Sequence, residues 1–482
     1  MRKSEKGMEK GGNRKDRQRR AAVIGGGASG CMAAIAAARA GAVVYLIEKN
    51  EKAGKKIYAT GNGRCNLTNL TLDAACYHTA SGDPGRQRIL AMISRFSQSD
   101  LIRFFADLGV PVHDREGYVY PRTDQAETVV RAIEKCFRAL DIHLMTDCRL
   151  ERIEEEPAPD QPAGSPSAAG RFCLFCRHRV PDPSDAGSEA QMGSRSGKNK
   201  KKAKKPGTES RFREEPLVLS DFDAVILCTG GLAGPSFGCS GDGYDLAGRF
   251  SHHLVPPLPA LTQLESDCPW LKRSAGVRCH AAFELVGEEG CPLPGFREEG
   301  ELQMTDYGIS GIPVFQLSGM AARHLAAGKN LTARIDFLPE FSEKMFSMEI
   351  KRRLSEDRDQ VLSDLFLGLV HRRIVDLVLA SEGLQAEMKA RRLDDSGLTA
   401  LFHRLRSFEM RITGTRSFDN AQTTCGGVPL EEVTDDLESI YRPGLYLAGE
   451  VLDVDGRCGG YNLQWAMTSG YLAGSAAGKP RG

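Results

Sequence analysis

Two short apolar runs, separated by an alanine-rich stretch, dominate the hydrophobic pattern near the start of the chain. Residues 21–24 read AAVI and residues 42–47 read AVVYLI, and runs of this length and composition predict buried strands. The small side chains between them predict a helix that can pack closely on a sheet. The pattern therefore predicts a strand–helix–strand unit of a parallel sheet, as in α/β proteins.

The turn between the first strand and the helix fits the dinucleotide-binding pattern G-x-G-x-x-G, here Gly25-Gly26-Gly27-Ala28-Ser29-Gly30. Gly25 permits the tight turn, Gly27 lets the backbone approach a pyrophosphate, and Gly30 lets the helix pack on the sheet. Free N–H groups at the helix start, around Ala28 and Ser29, can bind the phosphates of the dinucleotide. Glu48 follows the second strand, where an acidic residue can bind ribose hydroxyls and disfavours a 2′-phosphate. This turn, the glycine finger (residues 25–30), leaves NAD and FAD as alternative cofactors.

The later periodicity predicts a second domain inserted into the first. Strand-like residues 278–286 and 301–305 precede a helical block at 342–405. We expect a nucleotide-binding domain over 21–260 and 416–482, and an inserted substrate or cap domain over 261–415. Within the nucleotide-binding part, the pattern predicts helices at 96–109, 126–140 and from about Tyr461, and strands at 149–155, 172–180, 222–228 and 444–450.

Two segments have the composition of disordered chain. Residues 1–20 are basic and glycine-containing, which predicts a disordered tail. Residues 156–216 are rich in Pro, Gly, Ser and Lys, which predicts an expanded low-complexity loop in a β-meander. The run KNKKKAKK at 198–205 could touch RNA or anionic lipid, but a solvated loop is the favoured interpretation.

Composition narrows the class of protein. The 482 residues are 41% hydrophobic and 26% charged, with a net charge of +1, so no global field selects nucleic acid or anionic membrane. The sequence has no run of about 20 apolar residues, so we expect no membrane span. The 14 cysteines are scattered, which favours a reducing, cytoplasmic setting. Cys173 and Cys176 form a C-x-x-C inside a strand-like stretch without a partner pair, so we expect neither a metal site nor a redox role there.

A polar, glycine-rich loop follows Glu48 and predicts contacts with a polar cofactor. It includes Lys49 and Lys56 and continues as IYATGNGRCNLTN at 57–69. Such a density of hydrogen-bonding groups suits a loop wrapped on a ligand. The candidate ligands in it are Gly61, Asn62, Arg64, Cys65 and Asn66.

This loop, G-K-K-x-x-x-T-G-N-G-R-C-N-x-T-N, resembles the hallmark of the BaiN-like, aminoacetone-oxidase-like family of FAD-dependent oxidoreductases. The resemblance extends from residue 21 to about 475. It implies a Rossmann-like FAD-binding domain of the glutathione-reductase-like type, interrupted by a β-rich plus helical domain. Thr229-Gly230-Gly231 then marks where the chain passes the cofactor, and Asp242 with Gly243 is expected to cap the next helix.

The carboxyl-terminal stretch VLDVDGRCGGYNLQWAMTSG at 451–470 also resembles the FAD sites of this family. In such sites Glu450 and Asp453 are placed to bind ribityl or pyrophosphate-side hydroxyls. Gly459 and Gly460 start a helix whose first N–H groups, at Tyr461 and Asn462, can point at the N1–C2=O edge of flavin. A helix start there stabilises the negative charge of reduced flavin.

The resemblance implies a flavin-dependent reductase of C=C bonds conjugated to a 3-oxo group, as in a 3-dehydro-4,6-ene bile-acid or steroid intermediate. NAD(H) or NADP(H) would act as a transient electron donor. Tyr307, in the stretch MTDYGISG at 304–311, and Tyr461 are candidate proton donors. Two alternatives stay open: a flavin oxidase of a small amine or ketone, and a flavoprotein that binds or modifies RNA. The sequence leaves the oligomeric state open.

Overall fold

The computed structural model describes residues 17–156, 171–181, 212–288, 290–355 and 358–480. The lysine run, the first sixteen residues of the predicted tail and most of the predicted 156–216 loop lie outside these ranges. Arg17 and Arg20 fall inside the predicted tail but are ordered. Arg17 pairs with Asp221 at 2.7 Å, and Arg20 is the first residue of a strand.

The described helices and strands are numbered here in chain order. The strands are β1 (Arg20–Ile24), β2 (Val43–Ile47), β3 (Thr68–Asn69), β4 (Tyr77–His78), β5 (Val112–Arg115), β6 (Tyr118–Pro121), β7 (His143–Met145), β8 (Cys148–Glu156), β9 (Arg171–Pro181), β10 (Phe212–Phe222), β11 (Ala224–Leu227), β12 (Val255–Ala260), β13 (Leu264–Ser266), β14 (Arg278–Val286), β15 (Pro292–Met304), β16 (Gly308–Ser310), β17 (Leu331–Asp336), β18 (Phe408–Thr415), β19 (Thr423–Gly427), β20 (Leu445–Leu447) and β21 (Asp455–Gly456). The helices are α1 (Ala28–Arg39), α2 (Gly82–Ser94), α3 (Gln98–Asp107), α4 (Ala126–Ala139), α5 (Asp242–Gly248), α6 (Ile312–Ala326), α7 (Glu343–Leu354), α8 (Leu362–Leu365), α9 (Arg372–Ser381), α10 (Asp395–Arg406) and α11 (Tyr461–Gly478).

A five-stranded sheet in the order β20-β11-β1-β2-β7 forms the centre of the first domain. All its neighbouring strands are parallel, so their carboxyl ends meet at one edge. Nearly all residues of β1, β11 and β20 and most of β2 are buried, whereas the edge strand β7 is largely exposed. Helices α1 and α11 and strands β8 to β10 pack against the sheet. This arrangement confirms the Rossmann-like part of the predicted fold class.

Two parallel helices, α1 and α11, pack closely against each other beside this sheet. Added Cβ atoms at Gly470 and Gly474 of α11 would lie 2.1 Å and 2.2 Å from the carbonyl oxygens of Ser29 and Ala33 in α1. Glycine at these positions therefore lets the two backbones touch. The contact brings the carboxyl-terminal segment beside the amino-terminal glycine finger.

The insertion forms a closed barrel with strand order β13-β16-β15-β14-β17-β18, accompanied by α6 and by α7 to α10. Its apolar core, around residues such as Phe283 and Phe402, is separate from that of the sheet domain. A β-rich plus helical insertion is thus confirmed, whereas the boundaries at 261 and 415 stay a prediction. Strands β8, β9 and β10 form the antiparallel meander, and Cys173 and Cys176 are buried in β9.

The predicted cap of α5 is wrong. Gly241, with φ 76°, is the residue before the helix, and no side chain caps it. The Asp242 carboxylate instead accepts a hydrogen bond from Lys49 Nζ at 2.7 Å. Lys49, which follows β2, therefore binds the Asp242 carboxylate that was expected to cap the helix.

Candidate cofactor site

A cavity of about 190 Å³ lies at the carboxyl ends of β1, β2 and β11. This edge of an open parallel sheet is where α/β proteins bind ligands. Among the predicted residues, those that line the cavity are Gly25, Gly27, Ala28, Ser29, Glu48, Lys49, Lys56, Thr229, Gly230, Glu450 and Asn462. Residues outside the predicted set also line it, including Asn50, Lys55, Thr60, Arg149, Gln422, Thr423 and Trp465.

The three glycines that define the G-x-G-x-x-G pattern have different surroundings. Gly25 has φ 98°, and an added Cβ would lie 2.5 Å from the Cys228 carbonyl oxygen. At Gly30 an added Cβ would lie 1.8 Å from the Gly25 carbonyl oxygen, whereas Gly27 faces open space. Gly25 and Gly30 thus hold the turn and the helix together, and Gly27 leaves room at the start of α1 for a ligand.

Glu48 is buried and holds the finger in place. Its Oε2 accepts a hydrogen bond from the Gly26 N–H at 2.6 Å, and its Oε1 accepts two from Asn50, each at 2.7 Å. The carboxylate therefore ties the end of β2 to the turn after β1. It remains part of the cavity lining.

An ion pair between Lys56 and Glu450 closes another side of the cavity. Lys56 Nζ lies 2.9 Å from Glu450 Oε2, and Glu450 Oε1 accepts the Thr424 N–H at 2.9 Å. Burial opposes the charge of Lys56, but Glu450 outweighs it and raises the pKa of Lys56 above its usual value. An added Cβ at Gly231 would lie 2.9 Å from Glu450 Oε1, so Gly231 packs behind this pair.

The start of α11 lies at the end of a tightly braced turn. Asn462 Oδ1 accepts the Gly456 N–H at 2.8 Å, and Asn462 Nδ2 donates to the Gly456 carbonyl at 2.8 Å. Gly460, with φ 94°, precedes the helix, and an added Cβ there would lie 2.9 Å from Asn66 Oδ1. The polar loop and the carboxyl-terminal turn therefore meet at the helix start.

The predicted loop residues divide into exposed and buried groups. Gly61, Asn62 and Arg64 are exposed, whereas Cys65 and Asn66 are buried, and none of the five lines the cavity. Asn66 Oδ1 is buried and has no hydrogen-bond partner among the described residues. It is a free acceptor beside the α11 start.

Asp453 and Asp455 are buried on the other side of this turn. Asp453 Oδ2 accepts from the Ala80 N–H at 2.7 Å, while its Oδ1 has no partner among the described residues. Burial raises the pKa of Asp453. Asp455 instead pairs with Arg323 of α6, which outweighs burial and lowers its pKa. The insertion thus contacts the segment that leads into α11.

Neither predicted proton donor lines the cavity. The Tyr461 hydroxyl donates to the Thr71 carbonyl at 3.1 Å, and burial raises its pKa to about 12. The Tyr307 ring lies under the Arg416 guanidinium, 4.8 Å from the ring centre, in the turn between β15 and β16. Gly459 adjoins the helix start without lining the cavity.

Several of the cavity-lining residues that were not predicted carried a weak sequence signal for ligand binding. Lys55 stands beside Lys56, and Gln422 with Thr423 opens the polar stretch after the insertion. Arg149 and Trp465 had none, because one begins a meander strand and the other lies in an apolar helix.

Two other features are absent from the part of the chain that the structure describes. It shows no group of three or more His, Cys, Asp or Glu side chains able to hold a metal ion. Nor does any described helix have both the length and the apolarity that crossing a membrane requires.

Comparison with known proteins agrees with this architecture. Residues 19–161 and 196–476 match the family described as HI0933-like protein Rossmann domain. The 3-dehydro-bile acid delta(4,6)-reductase of Clostridium scindens is 36% identical over 453 residues, which is 93% of this chain and 96% of the relative. Two ribosomal RNA dihydrouridine synthases, from Haemophilus influenzae and Escherichia coli, are each 25% identical over 92% of this chain and 94% of the relative.

These matches extend across both the sheet domain and the insertion. They confirm the resemblance carried by the polar loop and the carboxyl-terminal motif, and with it the predicted class of flavoprotein oxidoreductase with a Rossmann-type FAD-binding domain. The chain belongs to the HI0933-like Rossmann family.

Proposed function

We propose that this protein is an FAD-dependent reductase of C=C bonds conjugated to a 3-oxo group in a steroid or bile-acid intermediate. The electrons would come from NADH or NADPH. The observation that carries the proposal is the 36% identity, over nearly the full length of both chains, to a 3-dehydro-bile acid delta(4,6)-reductase.

The arrangement of the two helix starts fits a dinucleotide. Close contacts pair Ser29 of α1 with Gly470 of α11, and the helices run parallel. Tyr461 precedes Gly470 by nine residues, whereas Ala28 precedes Ser29 by one, so α11 begins about 12 Å beyond α1 at 1.5 Å per residue. One helix start can receive the pyrophosphate and the other the flavin ring of the same extended cofactor.

The unpaired Asn66 acceptor also fits such a ligand. A buried polar atom without a partner costs about 1–3 kcal/mol, and a bound group that donates to it removes this cost. Asn66 Oδ1 lies beside Gly460, where the flavin end is expected. The free Asp453 Oδ1 adds a second acceptor on the same segment.

The proposed cofactor-binding residues contact different parts of FAD. Gly25, Gly27, Ala28, Ser29 and Gly30 shape the pyrophosphate site, and Glu48 with Lys49 borders the adenosine ribose. Lys56, Thr229, Gly230, Gly231 and Glu450 enclose the middle of the cofactor. The flavin end would be held by Gly61, Asn62, Arg64, Cys65, Asn66, Asp453, Gly459, Gly460, Tyr461 and Asn462.

When bound, the flavin supplies hydride transfer, and the chain supplies binding, orientation and charge stabilisation. The N–H groups at the α11 start stabilise negative charge on the cofactor ring. Glu48 and the Lys56–Glu450 pair hold the adenosine and middle parts, which fixes the ring against the insertion. A hydrogen-bond donor at the substrate carbonyl would complete the site.

A second candidate function uses the same chemistry on RNA. The two ribosomal RNA dihydrouridine synthases align over 92% of this chain. The uracil double bond that such a reaction reduces is, like that of an enone, conjugated to a carbonyl group. The RNA hypothesis therefore changes the substrate but not the role of the flavin site.

An anaerobic experiment separates the proposals. The purified protein is expected to show flavin absorption bands, which NADH or NADPH bleaches. The reduced enzyme is then mixed with a 3-oxo-4,6-diene steroid or with a uridine-containing ribosomal RNA transcript. A separate sample of oxidised enzyme is mixed with aminoacetone before oxygen is added. Flavin reoxidation and product formation with the steroid alone support the leading proposal. Product with the RNA or with aminoacetone and oxygen, and none with the steroid, rejects it.

A further inference from the structure

Tyr118 packs directly on the turn that starts α11. An added Cβ at Gly459 would lie 2.5 Å from Tyr118 Cε1, and Gly459 has φ 123°. Only glycine is compatible with both this contact and this backbone conformation. The phenol ring is therefore held against the helix start at which the flavin end of the cofactor is expected.

Asn69 fixes both sides of this contact. Its backbone pairs with that of Tyr118 between β3 and β6, and its Nδ2 donates to the Gly459 carbonyl at 3.0 Å. Asn69 Oδ1 accepts from the Thr71 N–H at 2.9 Å, which fixes the orientation of the amide. The ring and the turn are thus held by the backbone and the side chain of one buried residue.

The insertion reaches the same turn from its other side. Arg457 pairs with Glu298 of β15 at 2.6 Å, and the Cys458 N–H donates to Gln316 Oε1 of α6 at 2.8 Å. Tyr118 therefore lies where the sheet domain, the insertion and the α11 start come together. A substrate held between the insertion and the flavin would pass this point.

The Tyr118 hydroxyl differs from the hydroxyls of the neighbouring tyrosines. It has no hydrogen-bond partner among the described residues, whereas the Tyr77 hydroxyl donates to the Tyr461 carbonyl and the Tyr461 hydroxyl donates to the Thr71 carbonyl. Burial raises the pKa of Tyr118, and Cys458, Tyr120 and Glu116 act in the same direction, against Arg457. The hydroxyl therefore stays protonated, as a donor, at neutral pH.

We propose that Tyr118 donates a hydrogen bond to the carbonyl oxygen of the conjugated substrate, a role that rests on the proposed reductase function. A hydride supplied by the flavin would add to the β-carbon. The electron pair of the C=C bond would then form a double bond between the α-carbon and the carbonyl carbon, and the carbonyl π pair would move onto the oxygen. The Tyr118 O–H stabilises the resulting enolate oxygen, and a proton from water completes the α-carbon. One hydride and one proton are thus added across the double bond.

The test compares Tyr118→Phe with wild type as holoenzyme. The phenylalanine keeps the ring on Gly459, so FAD content and reduction by NAD(P)H should be retained. We expect reoxidation of the reduced enzyme by a 3-oxo-4,6-diene steroid to slow by about 100-fold, the effect of removing one such donor. The absorption band of the dienone bound to oxidised enzyme should also lose the red shift that a hydrogen bond to its carbonyl produces.

Two further variants separate the hydroxyl from the ring. Tyr45→Phe removes a phenol hydroxyl from β2, where the ring packs against His143 and Phe222 and does not line the cavity. This variant should match wild type in both measurements. Tyr118→Leu removes the ring as well as the hydroxyl. If only the leucine variant is impaired, the ring packs on the turn and the proposed donor role is overturned.

The outcomes also distinguish this inference from the proposed function. If wild-type reduced enzyme is reoxidised by the dienone and Tyr118→Phe keeps both the rate and the red shift, Tyr118 is not the donor, although the reductase function stands. If no conjugated ketone reoxidises the wild-type enzyme, the reductase function itself fails and the role of Tyr118 is overturned with it.

Discussion

The Lys56 ammonium and the Glu450 carboxylate lie 2.9 Å apart although 394 positions separate them along the chain. Lys56 belongs to the loop after Glu48, and Glu450 follows β20. Their ion pair joins the amino-terminal and carboxyl-terminal parts of one cavity wall. The two segments therefore depend on each other for their positions.

Glu450→Gln is expected to weaken FAD binding. The amide keeps the acceptor for the Thr424 N–H but leaves the partly buried Lys56 without a charged partner, at a cost of about 2 kcal/mol. We expect roughly a tenfold or greater loss of FAD affinity, measured by fluorescence titration of the apoprotein. Glu301→Gln is the matched control, because Glu301 pairs with Arg278 on the exposed surface of the barrel. An unchanged FAD affinity in Glu450→Gln would show that the pair does not shape the site.

Gly27→Ala and Gly30→Ala should impair different properties of the protein. At Gly30 the new Cβ overlaps the Gly25 carbonyl, so the free energy of unfolding should fall by about 3 kcal/mol. At Gly27 the new Cβ enters open space at the helix start, so the stability of the apoprotein should change by less than about 1 kcal/mol. FAD affinity should nevertheless fall at Gly27, because the methyl group takes the space of the pyrophosphate. Urea denaturation and flavin titration measure the two effects, and equal loss of stability in both variants would contradict the assignment.

Gly474→Ala should separate α11 from α1. Its Cβ would lie 2.2 Å from the Ala33 carbonyl oxygen, so the helices must move apart and the start of α11 must shift. We expect loss of about 3 kcal/mol of unfolding free energy together with weaker FAD binding, seen by thermal unfolding and by flavin content on purification. Gly248→Ala, in α5, is the control, since its Cβ would meet no atom within 4 Å. Normal stability in Gly474→Ala would rule out close packing of the two backbones.

Because of His252, the free energy of unfolding should decrease as the pH is lowered from neutral. Its side chain is fully buried, with Nδ1 3.0 Å from Glu432 Oε2 and Nε2 2.8 Å from Ser439 Oγ, and Tyr441 packs on the ring. Burial, with a smaller contribution from His253, lowers the pKa of His252, and this outweighs the opposing effect of Glu432.

Below pH of about 6.5 the unfolded chain therefore binds a proton that the native state does not, and stability falls by at most about 1.4 kcal/mol per pH unit. Urea midpoints at pH 7.5 and 5.5 should differ less in His252→Gln than in wild type. His280→Gln, at an exposed pair with Glu299, should keep the wild-type difference.

The local sequence pattern was sufficient to predict many of the strands and helices of the first domain. The strands around the finger, the helix between them and the start of α11 follow from apolar runs bounded by glycines, because burial and backbone freedom act over a few neighbouring residues. The same reasoning placed Glu48 at the end of β2, since a βαβ unit has a nearly constant length. The cap at Asp242 was assigned wrongly, because its partner, Lys49, is 193 positions away.

What the sequence determined by itself, then, was the cofactor class, the Rossmann-like sheet and the presence of an insertion, since each leaves a contiguous motif or a periodic pattern. Only the tertiary structure decided that the insertion closes into a barrel and that Lys56 meets Glu450. It also decided that the Tyr461 hydroxyl is engaged with Thr71, while the Tyr118 hydroxyl has no hydrogen-bond partner among the described residues. These relationships depend on which side chains face one another after distant segments pack. That geometry is set by the whole fold, and no local stretch of the chain carries it.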